Sequence, residues 1–419
     1  MIIQFNSCPI KSAISSGRMI ILGTLYITYE SLRHEGAINM YIDLFRSLYL
    51  NKPSPVSVSI NLTNKCNHHC IYCEIGQGYV KSKKPLLVLK DLKWIIDEMN
   101  SSRIPFLDLG GGEPLLFKNI FEVIAYAYEF GIKSSILTNG MLLPGLSSDK
   151  IEILKECESS VSVSIDSFSA KNEEYIRGAK DALSRSIEGI TILVKHHVPV
   201  NIMTVISAQN YRDLFDVVVN ANSLGINRVI FQPAIFASCF PEVEPIDNKR
   251  SLNVPLNNLR EVEDQFQRIQ DFERNAHIKT NVDVLAKWLT DYIRFVHSYR
   301  MNDFFFKKVV NRFWCAPLYS TVAINYYGEI LPCNMLKPTG SIKNRVDKSL
   351  LQLWNDSCVK TRQMINMGQY PDECRSCVCA FDNNVIFSTL KYPLSNIHNL
   401  STVIKKVLGT VHERYKIQS

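Results

Sequence analysis

The sequence has no apolar run of about 20 residues, the length a helix needs to cross a bilayer, so no transmembrane segment is expected. It also lacks any Lys/Arg run interleaved with aromatic residues. Its net charge of +7 is the small difference between 47 basic and 40 acidic side chains, and nucleic acid is therefore not an expected partner. There is no internal repeat and no low-complexity segment, which argues against a solenoid or a disordered chain. No nucleophile and base of the kind used in ordinary acid-base catalysis stand out.

At 419 residues and 46% hydrophobic composition, the chain can build one large catalytic domain with appendages, or two to three ordinary domains. Its 12 cysteines are unevenly placed, several in short-spaced groups. A secreted disulfide framework scatters its cysteines, whereas grouped thiolates bind metal. A reducing, cytoplasmic location is the expectation, because oxidation would consume the ligands. The apolar run Met19 to Tyr29, preceded by Lys11 and Arg18, has the look of a signal peptide's basic and apolar regions. Export would ruin the thiol sites, so the run is read as a strand or buried helix capping the main domain.

From residue 53 onward, strand-like and helix-like stretches alternate. The strand candidates are Val56 to Leu62, Ile104 to Leu109, Lys133 to Thr138, Val161 to Ile165, Val198 to Ile206 and Arg228 to Gln232. Amphipathic stretches lie between them: Leu89 to Met99, Ile120 to Phe130, Asp149 to Cys157, Ser184 to Lys195 and Tyr211 to Leu224. Such alternation predicts parallel strands joined by right-handed crossover helices. Six units are too few for a closed eight-unit barrel. The predicted fold class is α/β, an open partial (β/α)6 barrel with its ligand site at the carboxyl ends of the strands, followed by a small C-terminal α+β module. The expected division is an N-terminal segment over 1–52, the barrel core over 53–240, a helical linker region over 241–310, the small module over 311–382 and a helical tail over 383–419. Within these, Pro241 to Pro255 reads as a linker, and Leu259 to Phe272, Val284 to Phe295 and Leu350 to Met367 have helical spacing. Thr321 to Ile324, a turn over Asn325 to Glu329 and Ile330 to Leu331 read as a hairpin. Val403, Ile404, Val407 and Leu408 read as a terminal helix.

The loop after the first strand reads Cys66-Asn-His-His-Cys70-Ile-Tyr72-Cys73. Three close thiolates on a four-iron cubane leave one iron open to another ligand. On spacing alone a zinc knuckle is the lesser alternative, with His68 and His69 as further ligands; as loop-filling residues they fit a cluster better. After the second strand comes Gly110-Gly111-Gly112-Glu113-Pro114, where glycines allow close backbone approach to a ligand.

Together these motifs resemble the radical S-adenosylmethionine (SAM) superfamily. The resemblance implies that Cys66, Cys70 and Cys73 hold a 4Fe-4S cluster whose open iron chelates the amine and carboxylate of SAM. Reductive cleavage then yields a 5′-deoxyadenosyl radical that abstracts hydrogen from a C–H bond. It further implies that Gly111, Gly112, Glu113 and Pro114 bind the methionine amino group, with Tyr72 beside the cluster. Asn139 in Thr138-Asn139-Gly140, Ser164 and Asp166 fall at strand ends, and the latter two would face the ribose or methionine part. Arg177, before Gly178, would pair with the carboxylate, and Gln232 would lie near the adenine. Each of these is equally open to a turn or cap role.

A third group comprises Cys315, Cys333 after seventeen intervening residues, and Cys374-Arg-Ser-Cys377. Four thiolates close the coordination of a cluster or of a structural zinc. With Gly328 five residues before Cys333, the pattern resembles the twitch module, a shortened SPASM domain, and implies one auxiliary 4Fe-4S cluster. Either Cys377 or Cys379 could be the fourth ligand. Cys358 is a spare helical thiol, and Cys8, Cys157 and Cys239 read as isolated buried ones. A fully ligated auxiliary cluster has no vacant iron for substrate, so accepting an electron is its implied role. The expected reaction is a net oxidation, or dehydrogenation, of a small-molecule or carbohydrate-like intermediate, fed by a flavodoxin or ferredoxin. The alternatives are a maturase of a ribosomal peptide, an enzyme of a lipid-linked substrate or, remotely, a non-enzymatic iron-sulfur or zinc regulator. No general base can be named from the sequence.

Overall fold

The computed structural model describes residues 50, 52–78, 84–234, 252–298, 304–375, 377–378 and 381–399. The expectations for Met19 to Tyr29, for most of Pro241 to Pro255, for Val403 to Leu408 and for Cys8, Cys239 and Cys379 lie outside them.

Six parallel strands form the first part of the sheet: β1 (Ser57–Thr63), β2 (Phe106–Gly111), β3 (Lys133–Thr138), β4 (Ser160–Ser164), β5 (Val200–Ile206) and β6 (Val229–Pro233). The connecting helices are α1 (Leu89–Ser101), α2 (Ile120–Glu129), α3 (Ser148–Glu156), α4 (Ala170–Arg177), α5 (Ala182–Lys195) and α6 (Leu214–Ser223). Leu92, Ile95, Ile96 and Met99 of α1 recur at three- and four-residue steps and are fully buried, as are Leu214, Val217, Val218 and Ala221 of α6. These stripes pack on one face of the sheet, where Val58, Ile60, Leu107, Leu109, Ile136, Val161, Val163 and Ile202 are buried.

The opposite face is different in kind. It carries Ser57, Ser59 and Asn61 of β1, Asp108 and Gly110 of β2, Ser135 of β3, Ser160, Ser162 and Ser164 of β4, and Gln232 of β6, all half-buried. A closed barrel fills its interior with branched apolar side chains. Here the interior face is mixed: small polar side chains dominate it on β1 to β4, and Phe106, Leu137, Met203, Val205 and Ile230 share it.

The hairpin is not a separate sheet. β7 (Thr321–Ile324) pairs in parallel with β1, and β8 (Glu329–Leu331) and β9 (Gly340–Ser341) follow antiparallel, giving the nine-stranded order β6-β5-β4-β3-β2-β1-β7-β8-β9. The outer edge of β1 is thereby covered by a strand from far along the chain. Beyond β6 come α7 (Leu259–Glu273), α8 (Val282–Leu285) and α9 (Leu289–Ser298), so the single helix expected over Val284 to Phe295 is broken at residues 286–288. α10 (Pro317–Ser320), α11 (Leu350–Asn366), α12 (Asp372–Arg375) and α13 (Phe381–Lys391) complete the described chain. Among the described residues no helix is long and apolar enough to cross a membrane.

Candidate active site

The cysteine loop is clamped from two sides by backbone. The Gly112 N–H donates to Thr63 O at 2.7 Å and the Glu113 N–H to Lys65 O at 2.8 Å. From the other side, the His69 and Ile71 N–H groups donate to Arg177 O and Ile176 O, both at 3.0 Å. Two glycines make these approaches feasible. A Cβ on Gly112 would lie 2.1 Å from Lys65 O, and one on Gly178, at φ +57°, would lie 2.4 Å from His69 O. Gly112→Ala is expected to cost on the order of 3 kcal/mol, read as a fall in the denaturation midpoint. Gly145→Ala, whose Cβ meets nothing within 4 Å, is the control that should change little.

Donors are aimed at the loop's sulfurs. The His68 N–H lies 3.5 Å and Asn139 Nδ2 3.7 Å from Cys66 Sγ, and Arg177 Nη1 lies 4.0 Å from Cys70 Sγ. Asn139 Nδ2 also donates to Asn67 Oδ1 at 2.7 Å. Burial raises all three thiols, Cys70 to about 12. Neutral in isolation yet ringed by donors, they suit a bound group that supplies positive charge and accepts hydrogen bonds at sulfur. Among the described residues no three His, Cys, Asp or Glu side chains are grouped as for one metal ion. His68 is 1% exposed and held neutral, its imidazole lowered to about 4 by burial and then by Arg177 and His69.

Several residues expected to face the cofactor turn inward instead. Glu113 is fully buried, and its carboxylate accepts from the Leu115 N–H at 3.0 Å, the Thr138 hydroxyl at 2.7 Å and the Asn139 N–H at 2.8 Å. It ties the glycine-rich turn to the end of β3. Asp166, also fully buried, accepts from the Tyr72 hydroxyl at 2.6 Å and from the Val205 N–H at 2.8 Å, and forms an ion pair with Arg177 Nη2 at 3.1 Å. Arg177 pairs in addition with Glu173 at 3.3 Å. Asp166, Arg177 and Tyr72 are therefore not free groups lining the mouth. They form a buried brace between the cysteine loop, the end of β4 and α4, because a buried guanidinium needs paired carboxylates more than it needs a ligand. Ser164 and Gln232 remain on the interior face, as Gly110 does, with Gly111 ending β2, Gly112 in the turn beyond and Pro114 opening a short 3-10 turn.

The second cysteine group also comes together. Cys315, Cys333, Cys374 and Cys377 line one small apolar cavity with Phe304, Phe306 and other side chains. Burial raises Cys315 to about 12 and raises Cys333 and Cys374 too, and each of these thiols is also raised by its neighbours in the group. Four thiolates crowded in an apolar wall need cationic compensation, which an iron-sulfur cluster supplies. The chain's tail frames this site: Ser388 Oγ accepts from the Trp314 N–H at 2.8 Å, and Asn384 Oδ1 accepts from the Ala316 N–H at 2.7 Å. Cys157 and Cys358 are buried in the main core.

Comparison with known proteins agrees with this layout. Residues 60–219 match the Radical SAM superfamily, and residues 315–378 match the SPASM iron-sulfur cluster-binding domain. The AdoMet-dependent heme synthase of Methanosarcina barkeri is 30% identical over 206 residues, 48% of this chain and 57% of that protein. The antilisterial bacteriocin subtilosin biosynthesis protein AlbA of Bacillus subtilis is 21% identical over 334 residues, 78% of this chain and 66% of that protein. The chain thus spans about half the length of the first of these relatives. Among solved structures, Streptococcus suis SuiB bound to S-adenosylmethionine has the same fold, with a TM-score of 0.57 at 17% identity, covering 85% of this chain and 80% of that one. A radical SAM domain carries a 4Fe-4S cluster with SAM, and a SPASM domain carries auxiliary iron-sulfur clusters. Two thiol groups, one clamped at the carboxyl ends of an open parallel sheet and one walled into an apolar cavity, fit such a pair of domains: the chain carries a Radical SAM superfamily domain over residues 60–219 and a SPASM iron-sulfur cluster-binding domain over residues 315–378.

Proposed function

We propose that this enzyme oxidises a hydroxyl-rich small molecule at a C–H bond, with Cys66, Cys70 and Cys73 holding the SAM-binding cluster. Cys315, Cys333, Cys374 and Cys377 hold a single auxiliary cluster. When bound, the first cluster would supply the electron that splits SAM into methionine and a 5′-deoxyadenosyl radical able to take a hydrogen atom from the substrate, and the second would accept the electron left behind. A reduced flavodoxin or ferredoxin in the cytoplasm is the matching donor. The observation that carries the substrate class is the row of small polar side chains on the interior face: Ser59, Asn61, Ser135, Ser162, Ser164 and Gln232 offer hydroxyl and amide groups to a carbohydrate-like ligand, beside the apolar Leu137, Met203, Val205 and Ile230.

The remaining proton needs a base. Asp108 lies on that face, accepts from the Ser135 hydroxyl at 2.6 Å, and is raised by burial, offset by that hydrogen bond. A carboxylate with a raised pKa in a ligand-sized space is suited to accept the alcohol proton as the carbonyl forms. Asp108→Asn should keep both clusters and 5′-deoxyadenosine release but lower product formation by about 10²- to 10⁴-fold. Undiminished product would place the base elsewhere.

A peptide substrate is the second reading, favoured by the likeness to AlbA across 78% of this chain. Isotope transfer separates the two. The reconstituted enzyme is given dithionite, SAM and either carbon-deuterated aminocyclitols or carbon-deuterated peptides, and 5′-deoxyadenosine is analysed by mass spectrometry. Deuterium arriving from the aminocyclitol supports the first reading, and deuterium from the peptide replaces it with the second.

A further inference from the structure

Among the described residues, two buried side chains beside the cysteine loop carry polar atoms with neither a hydrogen-bond nor an ion-pair partner. His68 lies between Cys66 and Cys70, is 1% exposed, and neither ring nitrogen has a hydrogen-bond partner among the described residues. Tyr327, in the turn between β7 and β8, is 2% exposed, and its hydroxyl is equally unpartnered. Ile75, Tyr326 and Tyr327 form a buried cluster against which Cys66 and Cys73 pack. The imidazole thus comes from the loop itself and the phenol from the SPASM hairpin.

An unpaired buried donor costs about 1–3 kcal/mol. Leu at 68 or Phe at 327 would fill similar space without that penalty, so these polar atoms call for an acceptor that the described residues do not provide. Neighbouring polar groups have partners: His69 Nδ1 meets Gly76 O at 2.7 Å, Glu113 accepts three hydrogen bonds, and Asp166 accepts two and pairs with Arg177. A 4Fe-4S cluster presents only acceptors, its sulfides and its cysteinyl sulfurs. An imidazole N–H and a phenol O–H are the complementary donors.

We propose that His68 and Tyr327 donate hydrogen bonds to the sulfurs of the cluster held by Cys66, Cys70 and Cys73, and so raise its reduction potential. The inference rests on the assignment of that cluster to these three cysteines. Reduction adds negative charge to the sulfurs, so donors aimed at them favour the reduced state. Both act as positioning and tuning residues. Because Tyr327 belongs to the SPASM hairpin, the potential of the first centre depends on how the second domain is seated.

The test compares native protein with His68→Leu, Tyr327→Phe and the double variant, each reconstituted anaerobically with iron and sulfide counted. Each is titrated potentiometrically without SAM while electron paramagnetic resonance reads the reduced cluster. SAM is then added to identify the primary signal by its response. Each single variant should shift the midpoint of the SAM-responsive signal to a more negative potential, the double variant further, with the auxiliary signal unmoved. An unchanged midpoint in fully loaded Tyr327→Phe overturns the proposal. So does weaker SAM binding at an unchanged midpoint, which would assign the donors to the cofactor. Should His68→Leu fail to take up iron, Tyr327→Phe, which retains the ring, decides alone. Native protein without any SAM-responsive cluster would instead mean that the underlying cluster assignment is wrong.

Discussion

Replacing Cys66, Cys70 and Cys73 together with Ala removes about four of about eight irons per chain and abolishes 5′-deoxyadenosine formation, whereas the native protein makes it with dithionite and SAM. The three positions share one short loop whose backbone is held at Lys65, His69 and Ile71 by hydrogen bonds that none of the substitutions touches. The loop should keep its course, and the remaining iron should report the auxiliary group alone. Anaerobic reconstitution with iron and sulfide counts, followed by chromatography of the nucleoside product, provides the readout. Native protein that retained zinc and released no 5′-deoxyadenosine would refute the assignment outright.

The second large effect lies in the brace beneath that loop. Arg177→Met should lower stability by about 3–5 kcal/mol, the range for removing one member of a buried ion-pair network. Asp166 and Glu173, 0% and 1% exposed, would be left with uncompensated charge, and Tyr72 would keep only a buried carboxylate as its partner. Chemical denaturation of the apoprotein measures this without interference from iron. Breaking the exposed Arg212–Glu261 pair with Arg212→Ala is the control, because solvent screens it and little change is expected. If both substitutions have equally small effects, the network is not a brace.

What could be read in the sequence follows from how each residue acts. The strands were legible because apolar side chains alternate along them, and the cysteine loop and glycine-rich turn were legible because both sit directly after strands with distinctive chemistry. Helix α4 was not. Its buried positions are Glu173, Ile176 and Arg177, while Tyr175 is 62% exposed, so charge pairing rather than an apolar stripe holds it in place. For the same reason Asp166 and Arg177 looked like ligand groups: residue type does not reveal that two opposite charges 11 positions apart will close on each other. Asp108 escaped notice because a lone carboxylate within a strand reads as a solvated position until its pleat is known to face the barrel interior. The place of Tyr327 beside the first cysteine loop depends on β7 joining β1, a pairing between segments some 260 residues apart that no local pattern encodes.

That pairing also sets when the molecule can be finished. Ser57 meets Thr321 and Ile60 meets Ile324 in register. During synthesis, β1 therefore waits with one row of backbone donors and acceptors unmet until the ribosome has released the strand that covers it. A nascent chain stalled before Thr321 carries the complete cysteine loop beside an open sheet edge, the template for association with other chains. Metal delivery to that loop is safest after translation is complete. Chaperone dependence should accordingly track the interval between the two strands rather than the length of the protein.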